Sequence, residues 1–206
     1  GGGIALAMRG ELGGERRDRV GLARSYASRH DDAREILERG VRHARALGEP
    51  RILSVTLGAL AFALQREDRL DDASAAYAEG LGAAERAGDA GTVATMRLNL
   101  AGIAKTRGDL AGSLEHLEAA VDMGRRSGRI ATLRQALLNL ANLDIYLGRL
   151  ERAQQSLVEL TVERALLPPH QAAQLLSLEA ESAAKSGDLN RAGELCLRAA
   201  EAYEVI

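Results

Sequence analysis

The chain has 206 residues and carries a formal net charge of −2 at pH 7, with 27 Lys and Arg against 29 Asp and Glu. This near-neutral balance excludes a strong electrostatic attraction to nucleic acid or to an acidic membrane surface. A single cysteine excludes an intrachain disulfide and a cysteine metal site, and it is typical of a reducing cytoplasm. The longest apolar run, residues 52–64, is too short to span a bilayer, so no membrane contact is expected.

The beginning of the chain resembles the interior of a longer protein. Gly1-Gly2-Gly3 stands where an initiator Met would be, and residues 4–9 resemble the last turns of a helix from a preceding unit. Arginine outnumbers lysine by 25 to 2, a bias that indicates a GC-rich bacterial genome. We therefore expect a fragment of a longer bacterial protein.

From about residue 13 onward the pattern predicts pairs of helices. In the clearest pair, apolar residues recur every three or four positions over residues 93–106, which is the spacing of one helical face. Gly108 suits the C-terminus of that helix, and Asp109 can cap a second helix over residues 110–126. Five such pairs form one repeat array, with expected limits at 13–50, 51–90, 91–130, 131–168 and 169–206.

The same pattern returns about every 40 residues. One small residue marks the second helix of each unit at steps of 40, 40, 40 and 39: Ala33, Ala73, Ser113, Ala153 and Ala192. Another small residue lies twelve positions earlier in each unit: Gly21, Ala61, Ala101, Ala141 and Ala180. A fixed period of this length is the signature of stacked supersecondary units, and it excludes most enzyme folds.

Small residues twelve positions apart, with a Gly-Asp type of turn between them, are also the pattern of tetratricopeptide repeats (TPRs), which the chain resembles. The 40-residue unit is similar to the longer variety found in kinesin light chains, polarity adaptors and bacterial maltose-activator-type regulators. Trp is absent, and only Tyr77 stands at a typical bulky position of a second helix. The resemblance implies an all-α fold, a right-handed superhelical solenoid of antiparallel helix pairs that holds another protein.

In such arrays the first helices line the concave wall, and residues at i, i+4, i+7 and i+11 share one stripe of that wall. The resemblance therefore implies a peptide-binding stripe in the third and fourth units, made of Thr95, Asn99, Gln135, Asn139, Asn142 and Tyr146. Amide side chains offer both a donor and an acceptor to the backbone of an extended peptide. The alternative is that the Asn residues are solvated or bond to a neighbouring helix.

Asp144 is the clearest departure from the repeat. Burial is expected at its position, which sister units fill with Leu64, Ala104 and Ala183. Because an unpaired buried carboxylate is costly, Asp144 should either reach the surface or meet an arginine such as Arg134 or Arg152. Lys105 adjoins the predicted stripe, where it is either solvated or in contact with an acidic partner.

The sequence predicts no active site. The four histidines are scattered without the spacing of a metal motif, and His30 and His116 are expected on the surface. Cys196 aligns with Leu117 and Leu157, so it is expected in the core. No Gly-rich phosphate loop follows a strand. We expect neither catalysis nor a cofactor nor a metal.

Two functional hypotheses follow. The first is a cytoplasmic, non-catalytic interaction scaffold that binds a peptide or helical segment in the concave groove. It would serve as the docking or sensing region of a larger bacterial signalling or transcriptional regulator. The second is a self-association module that forms homo-oligomers and has no peptide ligand. Nucleic-acid binding is disfavoured because the charge is neutral and aromatic platforms are missing.

Overall fold

A computed structural model describes residues 33–162 and 166–206, and no β-strand lies in either range. The all-α class predicted from the sequence is therefore confirmed for the described residues. The helices in chain order are α1 (33–47), α2 (Pro50–Arg66), α3 (Leu70–Arg86), α4 (Ala90–Thr106), α5 (Leu110–Ser127), α6 (Ile130–Tyr146), α7 (Leu150–Val162), α8 (Pro169–Lys185) and α9 (Leu189–Glu204). Gly21 and His30 lie outside the described residues. None of the helices just named combines the length and the apolar composition that crossing a bilayer would require.

The turns within the helix pairs use a left-handed residue. Gly108, Gly148 and Gly187 have φ values of 78°, 72° and 87°, a conformation that glycine adopts without steric cost. Asp68 takes the same position in the second unit with a φ of 61°. After the turn, the Asp109 carboxylate accepts a hydrogen bond from the Gly112 amide at 2.9 Å, so the predicted cap is present.

The described residues fall into two compact groups, one ending at Gly80 and the other beginning at Leu81. In the first group Tyr77 is 1% exposed, as its bulky repeat position predicted. Its hydroxyl lies 3.4 Å from Oε1 of Gln65, and burial raises the pKa of the Tyr77 phenol to about 12.

In the second group each helix from α4 to α9 packs against the next, and α6 also packs against α4 and α8. The core is built from leucines and alanines, and Leu138 and Leu143 in α6 are fully buried. Small residues allow close approach between helices. A Cβ added at Gly124 in α5 would stand 2.9 Å from the Leu133 Cα in α6, so only glycine fits there without a shift.

Cys196 in α9 is exposed, and its predicted core position is wrong. The aligned residues Leu117 and Leu157 belong to a core cluster to which the following helices α6 and α8 contribute. No helix follows α9 among the described residues, and Cys196 is exposed there.

Candidate binding surfaces

The predicted stripe lies on one side of the second compact group, which we call the first-helix face because α4, α6 and α8 form it. Thr95 and Tyr146 are exposed there, and the four amide residues between them are half-buried. Since α6 packs against both α4 and α8, the first helices of successive units are direct neighbours. The structure therefore places the six predicted residues on two adjacent helices.

A chain of amide groups crosses from α8 to α6 on this face. Gln171 donates through Nε2 to Oε1 of Gln135 at 3.2 Å, and Gln135 donates through Nε2 to Oδ1 of Asn139 at 3.2 Å. Gln171 is only 7% exposed and was not predicted. In the repeat, the residue of α8 that aligns with Gln135 is Gln174. Gln171 lies three residues earlier, and residues three apart share a helical face, which is the sequence signal that could have indicated it.

Lys105, in the last turn of α4, connects α4 to α6 on the same face. Its Nζ donates to Oδ1 of Asn142 and lies 5.8 Å from the centroid of the Tyr146 ring, within the range of a cation–π contact. Lys105 is thus held in place rather than simply solvated. No carboxylate among the described residues forms a salt bridge with it.

A cavity of about 140 Å³ opens beside Lys105. Its rim contains Gly102, Asn139 and Asn142, with side chains of α5 below. A Cβ added at Gly102 would meet nothing within 4 Å. The cavity can therefore receive a small side chain or a backbone carbonyl between polar groups.

A second cleft lies between α5, α6 and α7. Because two of these, α5 and α7, are the second helices of their pairs, we call it the second-helix cleft. Its volume is about 240 Å³. Most of its rim is charged, and Asp144 lies at its buried floor, 1% exposed. The charged lining residues are Glu118, Asp122, Arg125, Asp144, Arg152 and Glu159.

Asp144 is buried and paired only at long range. Nε of Arg152 lies 3.5 Å from Oδ2, and Nη1 of Arg149 lies 3.9 Å from Oδ1, but neither carboxylate oxygen accepts a hydrogen bond. The predicted pairing with Arg152 is present, whereas Arg134 instead donates to the Leu166 carbonyl at 3.1 Å. Burial raises the pKa of the Asp144 carboxyl, and the two arginines oppose that shift.

His116 in α5 is half-buried, so its predicted surface position is confirmed only in part. Its Nδ1 has no hydrogen-bond partner, and burial, followed by the nearby Arg97, lowers the pKa of the imidazole. Within the described ranges no three His, Cys, Asp or Glu side chains come together as a metal site requires.

No protein-family model matches the chain. No curated protein matches it either. Among solved structures, BtubC (BKLC) from P. vanneervenii matches with a TM-score of 0.78 and 21% identity, over 88% of this chain and 76% of BtubC. A kinesin light chain-like protein of nearly identical TPR-like repeats from Podosopora anserina matches with a TM-score of 0.70 and 17% identity, over 90% of this chain and 93% of that one.

Aspartyl phosphate phosphatase F from Bacillus subtilis matches with a TM-score of 0.57 and 13% identity, over 86% of this chain and 45% of the phosphatase. At these identities the likeness concerns the fold, and it confirms the predicted TPR-like repeat array. TPR-like folds generally mediate protein–protein interactions. The fold alone does not decide catalysis, because one of these neighbours is named as a phosphatase.

Proposed function

We propose that this chain is a non-catalytic scaffold that binds an extended or helical segment of another protein on its first-helix face. In this proposal it is the docking or sensing region of a larger cytoplasmic regulator in bacterial signalling or transcription, and it contacts neither nucleic acid nor membrane. The observation that supports it most is the ordered amide chain next to the cavity at Lys105.

The hydrogen bonds on this face orient the amide groups in a way that suits a peptide. Asn139 and Asn142 each accept a hydrogen bond through Oδ1, from Gln135 and Lys105 respectively. Their amide nitrogens are therefore left as donors, and both residues line the cavity. Donors held in position match the carbonyl groups of an extended chain, and a fixed orientation lowers the entropy cost of binding.

Lys105 adds a requirement on the ligand. Its ammonium group has three donors, of which the Asn142 contact uses one. With no salt bridge to a described carboxylate, it favours a segment that places a carbonyl or a carboxylate in the cavity.

A blocking substitution tests the proposal without disturbing the fold. Gly102→Gln places a side chain over the cavity, where an added Cβ has no neighbour within 4 Å. Gly193→Gln in α9 is the matched control, because Gly193 is also helical and equally open. Peptides selected from a random library against the wild-type chain should bind Gly102→Gln and Asn139→Ala about tenfold more weakly, a loss of about 1.4 kcal/mol. Equal binding to all three variants would contradict the first-helix face as the site.

Self-association is the second candidate, and exposed apolar side chains of α9 favour it. Leu189 is 72% exposed, Leu197 is 69% exposed and Tyr203 is 51% exposed. Exposed apolar side chains of this kind can pack against a second copy. Light scattering across a dilution series should then show a dimer that Leu197→Glu disrupts, whereas a wild-type monomer at every concentration would remove this candidate.

A further inference from the structure

The second-helix cleft has a counterpart in the first compact group. Glu38, Arg45 and Glu79 line that cleft of about 460 Å³, and they lie 80 positions before Glu118, Arg125 and Glu159. An Arg–Glu ion pair of 2.6 Å borders each cleft, Arg45 with Glu79 in one and Arg125 with Glu159 in the other. The repeat therefore builds the same cleft twice, and differences between the two copies are not demanded by the fold.

The floor of the cleft is the main difference. In the first group it contains Leu64, which is 5% exposed, and in the second it contains Asp144, which is 1% exposed. Sister positions in two further units hold Ala104 and Ala183. Three units thus fold with an apolar residue at this position, and a buried carboxylate there costs free energy.

The two clefts also differ in the charge of their lining, which is more acidic in the second-helix cleft. Three acidic and three basic residues line the cleft of the first group. Four acidic residues and two arginines line the second-helix cleft, so acidic side chains exceed basic ones by two. Asp144 is itself one of these four acidic residues, and Arg149, the counterpart of Arg69, lies 3.9 Å from it.

The two arginines near Asp144 do not satisfy it. Arg152 gives its closest contact to Glu118, with Nη2 at 2.8 Å from Oε1, and its Nε remains at 3.5 Å from Asp144. Arg149 remains at 3.9 Å, and both side chains are nearly half exposed, so a ligand can move them at low cost. Asp144 keeps the capacity to accept hydrogen bonds from a cation that enters the cleft.

We propose that the second-helix cleft binds an ammonium or guanidinium group, with Asp144 as its buried acceptor and Glu118 and Glu159 at its rim. Such a group supplies both the charge and the N–H donors that the carboxylate lacks. A volume of about 240 Å³ suits a single side chain or a small amine rather than a large ligand. Metal ions fit less well, because the described residues bring no three metal-binding side chains together.

The test is a titration of the ¹⁵N-labelled chain followed by NMR. The probes are agmatine, a free guanidinium compound, and an acetylated, amidated Gly-Arg-Gly peptide at millimolar concentration. Saturable shifts should be confined to α5, α6 and α7, and a citrulline peptide of the same length should not cause them. Shifts with agmatine alone would identify a free amine as the source, and shifts with both probes would identify a side chain of a partner.

Variants separate the site from general attraction to an acidic surface. Asp144→Ala and the nearly isosteric Asp144→Asn should each weaken binding about 10-fold or more, as expected for a hydrogen-bonded charge pair. Glu79→Gln, which removes an acidic residue from the counterpart cleft, should leave the affinity unchanged. Equal affinity of wild type and both Asp144 variants, or no saturable shift with either probe, would overturn the proposal. Gly102→Gln should bind agmatine normally, so the outcome is independent of the first-helix face.

Discussion

Asp144→Ala removes a carboxylate that is 1% exposed and accepts no hydrogen bond, and it restores the residue that stands at Ala104 and Ala183 in two sister units. The arginines that face it lose little, because Arg149 and Arg152 are nearly half exposed and Arg152 keeps its contact with Glu118. We therefore expect the variant to be more stable than the wild type.

The size of the gain follows from the burial. An unsatisfied buried polar group costs about 1–3 kcal/mol, part of which the two long ion pairs recover. Replacing Asp with Ala within a helix adds up to about 0.7 kcal/mol of intrinsic propensity. A net gain of about 2 kcal/mol corresponds to a rise in the unfolding midpoint of about 4–8 °C for a chain of this size.

The dependence of stability on pH separates the cost of burying the charged carboxylate from the difference in helix propensity. Because the pKa of Asp144 is raised in the folded state, the unfolded chain loses this proton at a lower pH than the folded chain does. Wild-type stability should therefore fall as pH rises from the ordinary Asp pKa of about 3.9 to the raised folded value, and then level off. Helix propensity does not vary with pH, so the gain from Asp144→Ala should be small in acid and largest at neutral pH.

Urea unfolding followed by circular dichroism from about pH 4 to about pH 7 measures this difference. Asp144→Asn is the control, since it removes the charge and changes helix propensity very little. The reasoning is refuted if Asp144→Ala is less stable than the wild type at neutral pH and the deficit shrinks toward acid. That result would mean that the ion pairs outweigh the desolvation of the carboxylate.

Four further substitutions test the helix contacts, one turn and the half-buried histidine. Gly124→Ala should destabilise the chain by about 1–3 kcal/mol, because the added Cβ meets the Leu133 backbone, whereas Gly193→Ala, with open space around it, should stabilise it by about 0.5–1 kcal/mol in the same unfolding assay. Asp68→Gly should stabilise the chain by up to about 1 kcal/mol, since it relieves a φ of 61° that the sister turns give to glycine; no gain in the urea midpoint would contradict this. The imidazole of His116 should titrate below about 6.5 by NMR; wild-type stability should fall as pH drops through that folded pKa, and His116→Gln should lack this fall.

The local structure was largely predictable because the signals were local and repeated. Residues 93–106 and 110–126 were predicted to be helical, and the structure has helices at Ala90–Thr106 and Leu110–Ser127. The turn at Gly108 was predicted from its sequence, since a glycine followed by a capping residue is a short-range pattern. The same pattern returns about every 40 residues, so each helix and turn assignment was supported by several units of the chain.

The sites were less predictable because they depend on which helices meet. Gln171 joins the amide chain only since α8 packs against α6, and the repeat register does not show that contact. Arg149 approaches Asp144 from the turn before α7, a position that helical spacing does not reach. Cys196 was assigned to the core by alignment alone, and alignment does not show whether a further helix covers the position.

The two proposed surfaces share α6 and remain separate on it. Asn142 borders the first-helix cavity and Asp144 forms the floor of the second-helix cleft. Two residues along an α-helix correspond to a rotation of about 200°, so these neighbours in sequence point to opposite sides. Each first helix of the array can therefore present one side to a peptide and the other to the helices that pair with it. Asp144 lies on the second of these sides. Sister units fold with an apolar residue at that position, so the fold does not require a charge there. We therefore interpret the charge of Asp144 as a recognition feature.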